Sequence, residues 1–395
     1  MHEFTNKTTR SGAWKLWGGA AAAAALLAAC GGGAGGGETG TLRVALTDAP
    51  ACGYDHVWVT VEKVRVHTSG SANDNDAGWR DVALSKPERI DLLSLTNGAL
   101  QELGQAPLPA GAYSQVRLVL ADNSGDPLAH AIQPTGGAVQ ALATPSSMQS
   151  GLKLKANFTV EANQLADLVL DFDACRSIVK RGNSGQFNLK PVVSVFKRLT
   201  AGIEGYVSTA LPLASTTVSV QQNGATVRAT VPDSSGKFLV PYLNDGAYNV
   251  VITSEGFSTA VVTSVPVSLT TGKTVLNDAA HAFSTPSSTM KEVKGAVTPA
   301  AEASVRALQA LSGGPTVELA DVPVDADLGT YKVRLPIAAP QKAAYSNTGS
   351  YSFTADTAAA GKVTLQAVAP GRTPVNSAVL DLATQSAAVN FNFAP

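Results

Sequence analysis

Four aspartates and two cysteines make the first candidate site. Asp171 and Asp173 stand two apart in Leu170-Asp171-Phe172-Asp173, so on a strand both carboxylates project from one face, while Asp48 and Asp55 bracket Cys52. A disulfide between Cys52 and Cys175 would draw the two acidic segments together, and hard carboxylate oxygens in a loop-rich cluster suit calcium. The competing reading is a solvated strand face, or carboxylates that serve as partners for neighbouring Lys and Arg such as Arg176. With no fixed ligand spacing behind calcium, that plainer reading leads. Asn73-Asp74-Asn75-Asp76 offers further oxygen ligands, but such a string more often marks a hairpin tip. Trp58 and Trp79 are candidates for a different chemistry, stacking on sugar rings. Packing under a loop or in the core competes with it, because large aromatics supply much of a small domain's burial.

Other chemistries find little support. His2, His56, His67, His130 and His281 lack metal-ligand spacing, and there is no HExxH helix, GxSxG elbow or phosphate-binding P-loop. Only 15% of residues are charged, and 29 basic against 30 acidic side chains leave no field to attract nucleic acid. The leading expectation is a non-catalytic protein with a binding, adhesion or scaffolding role. One alternative is a carbohydrate-binding protein, and a second is a hydrolase that collects Asp and Ser residues in space. A clustered carboxylate pair with a raised pKa in a cleft would favour the hydrolase.

Cys30 carries a third chemistry, that of an acylated thiol. Lys7, Arg10 and Lys15 mark a basic head before the apolar run to Ala29, as a secretory signal requires. Leu27-Ala28-Ala29-Cys30 resembles a bacterial lipobox, which implies cleavage before Cys30 and a membrane anchor made by lipid on it. Residues 1–29 are then the signal, and the glycine-rich 30–40 a flexible tether. The expected location is the cell envelope, and the outer membrane in a Gram-negative host, since no aspartate follows Cys30. Partners would be the membrane, through lipid, and an envelope polysaccharide or protein. With Cys30 lipidated, Cys52 and Cys175 remain, an even count that fits one disulfide in an exported chain.

Strand alternation dominates the rest. Leu42, Val44 and Leu46 form one row, and Val57, Val59 and Val61 another, whose phase shifts to Val64 and Val66 near Glu62-Lys63 as a bulge would produce. Ser69 to Gly78 reads as a hairpin tip. Leu95, Leu100 and Leu103 predict a short helix ending at Gly104. Tyr113 to Leu120, Gly151 to Val160, Leu168 to Phe172 and a closing Gln186 to Lys197 read as strands.

Gly40 to Pro50, Val59 to Val64, Ile90-Asp91-Leu92-Leu93, Leu108 to Tyr113 and Leu170 to Asp173 together resemble a bacterial lipoprotein family, domain of unknown function 4382, over residues 41–199. The resemblance implies an exported all-β domain and supplies no catalytic set. Residues 200–285, with Asn223-Gly224 as a hairpin turn, resemble the carboxypeptidase regulatory-like β-sandwich of transthyretin and starch-binding type. Gly295-Ala296-Val297 repeats Gly205-Tyr206-Val207, and Asp327 to Tyr331 echoes Asp233 to Phe238, so 293–395 reads as a divergent second copy. Ser284 to Thr289 is the polar joint between them. The fold class is therefore all-β, an N-terminal β-sandwich-like domain followed by two small immunoglobulin- or transthyretin-like sandwiches.

Overall fold

Alternating apolar residues generate the strands of the first sandwich in the computed structural model, which describes residues 38–48, 53–144, 151–384 and 388–394. They are β1 (Thr39–Asp48), β2 (Tyr54–His67), β3 (Arg80–Asp91), β4 (Gln101–Pro109), β5 (Gly111–Leu120), β6 (Ala131–Pro134), β7 (Gln140–Ala143), β8 (Leu152–Val160) and β9 (Leu165–Phe172). A one-turn helix, α1 (Ala174–Ser177), precedes β10 (Ile178–Lys180), β11 (Phe187–Leu189) and β12 (Val193–Lys197). One sheet runs β12-β9-β1-β4, the other β10-β11-β7-β6-β2-β5-β8 with β3 on β2. The rows led by Leu42, Val57 and Leu168 meet between them in one core. The phase change in β2 is a bulge, with the register to both β3 and β5 slipping between Val61 and Lys63.

Two expectations fail here. Residues 101–109 form β4 instead of continuing a helix, because the edge of β1 recruits them as an antiparallel partner; only Leu92–Leu95 is a 3-10 turn. Leu103 is still buried, now from a strand. The closing segment divides into β11 and β12, which belong to different sheets, since Pro191 between them cannot donate a ladder hydrogen bond.

The second sandwich contains β13 (Gly202–Tyr206), β14 (Thr216–Gln222), β15 (Ala225–Thr230), β16 (Lys237–Pro241), β17 (Gly246–Ser254), β18 (Ala260–Val267) and β19 (Lys273–Val275). The third contains β20 (Met290–Thr298), β21 (Ser304–Ala310), β22 (Thr316–Pro323), β23 (Thr330–Pro336), β24 (Gln341–Ala344), β25 (Thr354–Ala355), β26 (Lys362–Val368), β27 (Val375–Asn376), β28 (Leu380–Asp381) and β29 (Phe391–Asn392). Asn223 and Gly224 both take positive φ, 51° and 74°, the geometry a two-residue hairpin turn requires.

The repeat seen in sequence has a structural counterpart. Gly205 pairs with Phe238, and Gly295 with Tyr331. A Cβ at either glycine would stand within about 3.0 Å of the partner's ring, so the aromatic covers the space that the glycine leaves. In both copies the turn glycine accepts from the opposite strand: Val207 N donates to Gly236 O, and Val297 N to Gly329 O, at 2.9 and 2.8 Å respectively.

The three sandwiches lie in one unit, Glu38–Pro395, and hold one another through specific contacts. The β24–β25 hairpin leaves the third sandwich and extends the second one's sheet, with β24 parallel to β18. Val251 and Val261 of the second sandwich are buried within the third one's core. The polar joint is largely exposed, and it is also pinned to the second sandwich. Ser258 N donates to Pro286 O at 2.9 Å, Ser288 N to Gly256 O at 2.8 Å, and Thr285 is buried. On the other side, the Asn97-Gly98 turn of the first sandwich plugs into the second: Asn97 N donates to Thr230 Oγ1 at 2.9 Å, and its side chain bonds the backbone of Lys237 and Leu239.

Candidate functional site

Alternation along β9 turns Leu168, Leu170 and Phe172 inward and leaves Val169 and Asp171 on the outer face. That outer face is not solvated. Val169 is wholly buried and Asp171 is 8% exposed, because the second sandwich lies against it. Arg228 on β15 places Nη2 at 3.2 Å from Asp171 Oδ2, and its guanidinium lies over the rings of Phe196 and Tyr242, at 4.4 and 5.4 Å. Burial pushes the Asp171 carboxyl above its ordinary value, and the Arg228 charge offsets this only in part.

Asp173, two residues on, caps α1. Its Oδ1 accepts from Arg176 N at 3.0 Å, the usual service of an aspartate at a helix start. Burial pushes it up to about 6, the Arg176 amide and guanidinium pull it down, and the charges of Asp171 and Asp321 push it up again. Arg176 itself reaches out of α1 to the third sandwich, with Nε 3.0 Å from Asp321 Oδ2 on β22. A little further along β22, Glu318 pairs with Arg306 Nε at 2.5 Å and accepts from Thr226 Oγ1 at 2.8 Å. Burial first, then the Asp321 charge, raise Glu318, while Arg306 holds it down. The backbone of Glu318 is gripped on both sides by the Gln221 side chain, at 2.7 and 2.8 Å.

Four carboxylates and three guanidiniums thus gather where the three sandwiches meet. Raised carboxylates in a cleft are the arrangement of acid–base hydrolysis. Here each instead faces an arginine, a hydroxyl or a backbone amide, most of them from a neighbouring sandwich, so the arrangement joins domains.

The proposed ligand residues are distributed differently from the calcium expectation. Asp48 is buried and its Oδ1 accepts from Ala174 N at 3.0 Å, tying the end of β1 to α1 beside Asp173. Asp55 is exposed and turns away, accepting from Gly136 N at 3.0 Å beyond β6. Asp171 and Asp173 are engaged as described. Among the described residues no group of three or more His, Cys, Asp or Glu can hold a metal ion. Of the plainer readings, the solvated face fails for Asp171, since a second domain covers it, while pairing with an arginine holds, though the partner is Arg228. Cys175 is disulfide-bonded, and its partner lies outside the described residues, as do Cys30 and Cys52.

Neither tryptophan presents a bare ring. Trp79 is 9% exposed, its Nε1 donates to Asn73 O at 2.8 Å, and Arg65 and Arg117 lie over it at 5.0 and 4.7 Å. Arg117 in turn pairs with Asp74, so the acidic tip serves as a cap over the tryptophan. Trp58 is half-buried between its strand neighbour His56, stacked at 4.8 Å, and Arg89 at 4.5 Å, which sits opposite Thr60 in the β2–β3 register. Both sites are therefore already filled by protein cations or rings, and the sugar-stacking expectation has no open face at either.

Arg228, Arg306, Glu318 and Asp321 were not singled out by sequence. Their signal is weak: each is a charge set between apolar neighbours within a strand, in a chain where charges are scarce.

This is an all-β protein of stacked sandwiches, and the family described as a domain of unknown function (DUF4382) matches residues 39–191. The match covers the first sandwich up to β12 and not the rest of the chain. No curated protein matches the sequence. Among solved structures, the major pilin SpaA of Corynebacterium diphtheriae aligns at 12% identity over 90% of this chain and 99% of its own, with a TM-score of 0.16. The pilus adhesin SpaC from Lactobacillus rhamnosus GG aligns at 8% identity over 90% of this chain and 43% of its own, with a TM-score of 0.12. Scores this low carry no argument. Among the described residues no helix is long and apolar enough to cross a membrane.

Proposed function

We propose that the chain is a lipid-anchored, non-catalytic cell-envelope protein whose sandwiches form a braced arm for binding, adhesion or scaffolding. The observation behind this is the use made of its perturbed carboxylates: Asp171, Asp173 and Glu318 are engaged in cross-links between or beside the sandwiches. Buried ion pairs are a costly way to gain stability, but they fix one relative geometry, which an arm that must hold a surface away from a membrane needs. In this reading Cys30 carries the lipid, the glycine-rich stretch from there to the start of β1 at Thr39 is the tether, and the last two sandwiches are of the carboxypeptidase regulatory-like type. The outer membrane is the destination in a Gram-negative host, and an envelope polysaccharide or protein is the partner.

Labelling with a fatty-acid probe, followed by membrane fractionation, tests the anchor. Wild-type protein should label and sediment with membranes, and Cys30→Ala should do neither. A Cys30→Ala protein that still labels and still partitions with membranes would sink the assignment.

A further inference from the structure

The end of the first sandwich where β1 begins is tied into a fixed shape. Ala110 N donates to Glu38 O at 2.7 Å and Asn163 N to Thr39 O at 2.8 Å, so the entering chain is clamped between the β4–β5 and β8–β9 turns. Thr41 N adds a bond to Gln164 O at 2.8 Å. A Cβ on Gly40 would stand 2.2 Å from Glu161 O and 2.7 Å from Val160 Cγ1, so glycine is what lets β1 lie this close to the second turn.

The outer face of the same sheet is unevenly covered. At Val169 and Asp171 the second sandwich lies on it, whereas at the β1 end it is open. There Leu165, Thr41 and Pro107 stand in one row across β9, β1 and β4, and Leu165 is 49% exposed. With Thr39, Gln105 and Gln164 they line a concavity of about 500 Å³. Pro109 and Ala110 are exposed at the same end. The charges here have one sign: Glu38 and Glu161 are exposed, and none of residues 38–41, 107–112 and 160–165 is Lys or Arg. The next cation along β1, Arg43, is already paired with Asp167.

The length of the tether limits what meets this end. Nine residues lead from Cys30 to Thr39, and at full stretch they reach about 30 Å, so a lipid on Cys30 keeps the β1 end within that distance of a bilayer. A phosphatidylethanolamine headgroup has the matching chemistry. Its ammonium donates hydrogen bonds, for which the carboxylates of Glu38 and Glu161 are acceptors, and its phosphate accepts them from the amides of Gln105 and Gln164 and the hydroxyl of Thr41. Leu165 and Pro107 suit the ester and first methylene groups beneath the headgroup. An anionic lipid would meet two carboxylates and no cation.

We infer that the β1 end of the first sandwich seats directly on a phosphatidylethanolamine headgroup layer, an inference that rests on the lipid anchor proposed above and adds to it a contact made by the protein itself. The test uses the full lipidated chain in vesicles of phosphatidylethanolamine and phosphatidylcholine, with a fluorophore at Ala110→Cys and a headgroup nitroxide lipid as quencher. Val379→Cys, on the third sandwich at a position 63% exposed, carries the same fluorophore as the reference. The Ala110 fluorophore should lose emission to the quencher, and the reference should keep it. Leu165→Glu, a change at an exposed position that should leave the thermal midpoint unaltered, should bring the quenching down to the reference level. Vesicles of phosphatidylcholine alone should do the same, because a quaternary ammonium has no N–H to donate. Protein that floats with the vesicles while its Ala110 fluorophore is no more quenched than the reference overturns the inference and leaves the anchor standing. Undiminished quenching in Leu165→Glu also overturns it, as does energy transfer between Ala110 fluorophores that grows with protein density, since a second copy would then occupy the face. Protein that fails to float removes the anchor and the seat together, and flotation reads that outcome separately.

Discussion

Asp173→Asn isolates the electrostatic tension at the junction. Asparagine keeps the cap, because its side-chain oxygen can still accept from Arg176 N, but it carries no charge beside Asp171 and Asp321. The wild-type carboxyl is raised from the ordinary 3.8 to about 6, chiefly by burial. A raised acid binds its proton more tightly in the folded chain than in the unfolded one. Its protonated form therefore favours folding between about pH 4 and 6, and that benefit is lost as pH rises through 6. At 1.36 kcal/mol per pH unit the difference is worth about 3 kcal/mol, an upper figure because removing one carboxylate also relaxes its neighbours. Asp173→Asn should then be more stable than wild type at pH 7.5, by as much as about 3 kcal/mol, and the gain should shrink toward nothing near pH 4. Urea denaturation of both proteins across this range checks it, and taking their difference cancels the titration of Asp171 and Glu318 to first order. A variant equal to or weaker than wild type at pH 7.5, or a difference that does not change with pH, would refute the reasoning. Asp173→Ala serves as the control: it loses the cap as well, at a cost of about 1 kcal/mol.

The Asp171–Arg228 pair should behave as a buried cross-link between the first two sandwiches. Arg228→Met alone should destabilise by about 3 to 5 kcal/mol, because it strands a buried carboxylate, whereas Arg228→Met with Asp171→Leu should recover most of that in the same denaturation assay. If the double variant is no better than the single one, packing of Arg228 on Phe196 and Tyr242 outweighs its charge. For the cysteines we propose that Cys175 is bonded to Cys52, and non-reducing peptide mapping should recover those two peptides linked. A loop of this length would restrict the unfolded chain by roughly 4 to 5 kcal/mol in the entropic account. Recovery of Cys175 linked to Cys30 would remove both this pairing and the lipid.

Much of the architecture was legible because strand periodicity is local. The bulge in β2 follows from Val61 and Val64 facing the same way across Glu62-Lys63, and the turn at Asn223-Gly224 follows from two residues that tolerate positive φ. Both were readable without knowing any partner strand. The segment after Thr96 was not, because Leu95, Leu100 and Leu103 satisfy a helical spacing while the free edge of β1 offers nine residues a sheet instead. β6, β7 and β10 are three or four residues long, too short for alternation to register. The crossing of β24 onto β18 leaves no local trace at all, since a strand reads the same whichever sandwich it completes.

The acidic junction shows the same limit in a sharper form. Alternation correctly assigned Asp171 to the face opposite Leu170 and Phe172, but periodicity distinguishes only core from not-core, and a domain interface looks like solvent to it. Arg228, Arg306 and Glu318 have the same pattern, each between apolar residues on a strand. What distinguishes them from surface charges is complementarity between domains: Asp171 of the first sandwich meets Arg228 of the second, and Glu318 of the third, paired with Arg306 on the neighbouring strand, also accepts from Thr226 of the second. In a chain with few charges, an outer strand face that carries a single ionisable residue among small or apolar ones is poorly suited to water. Such a face is better read as waiting for another domain, and here the three sandwiches satisfy one another.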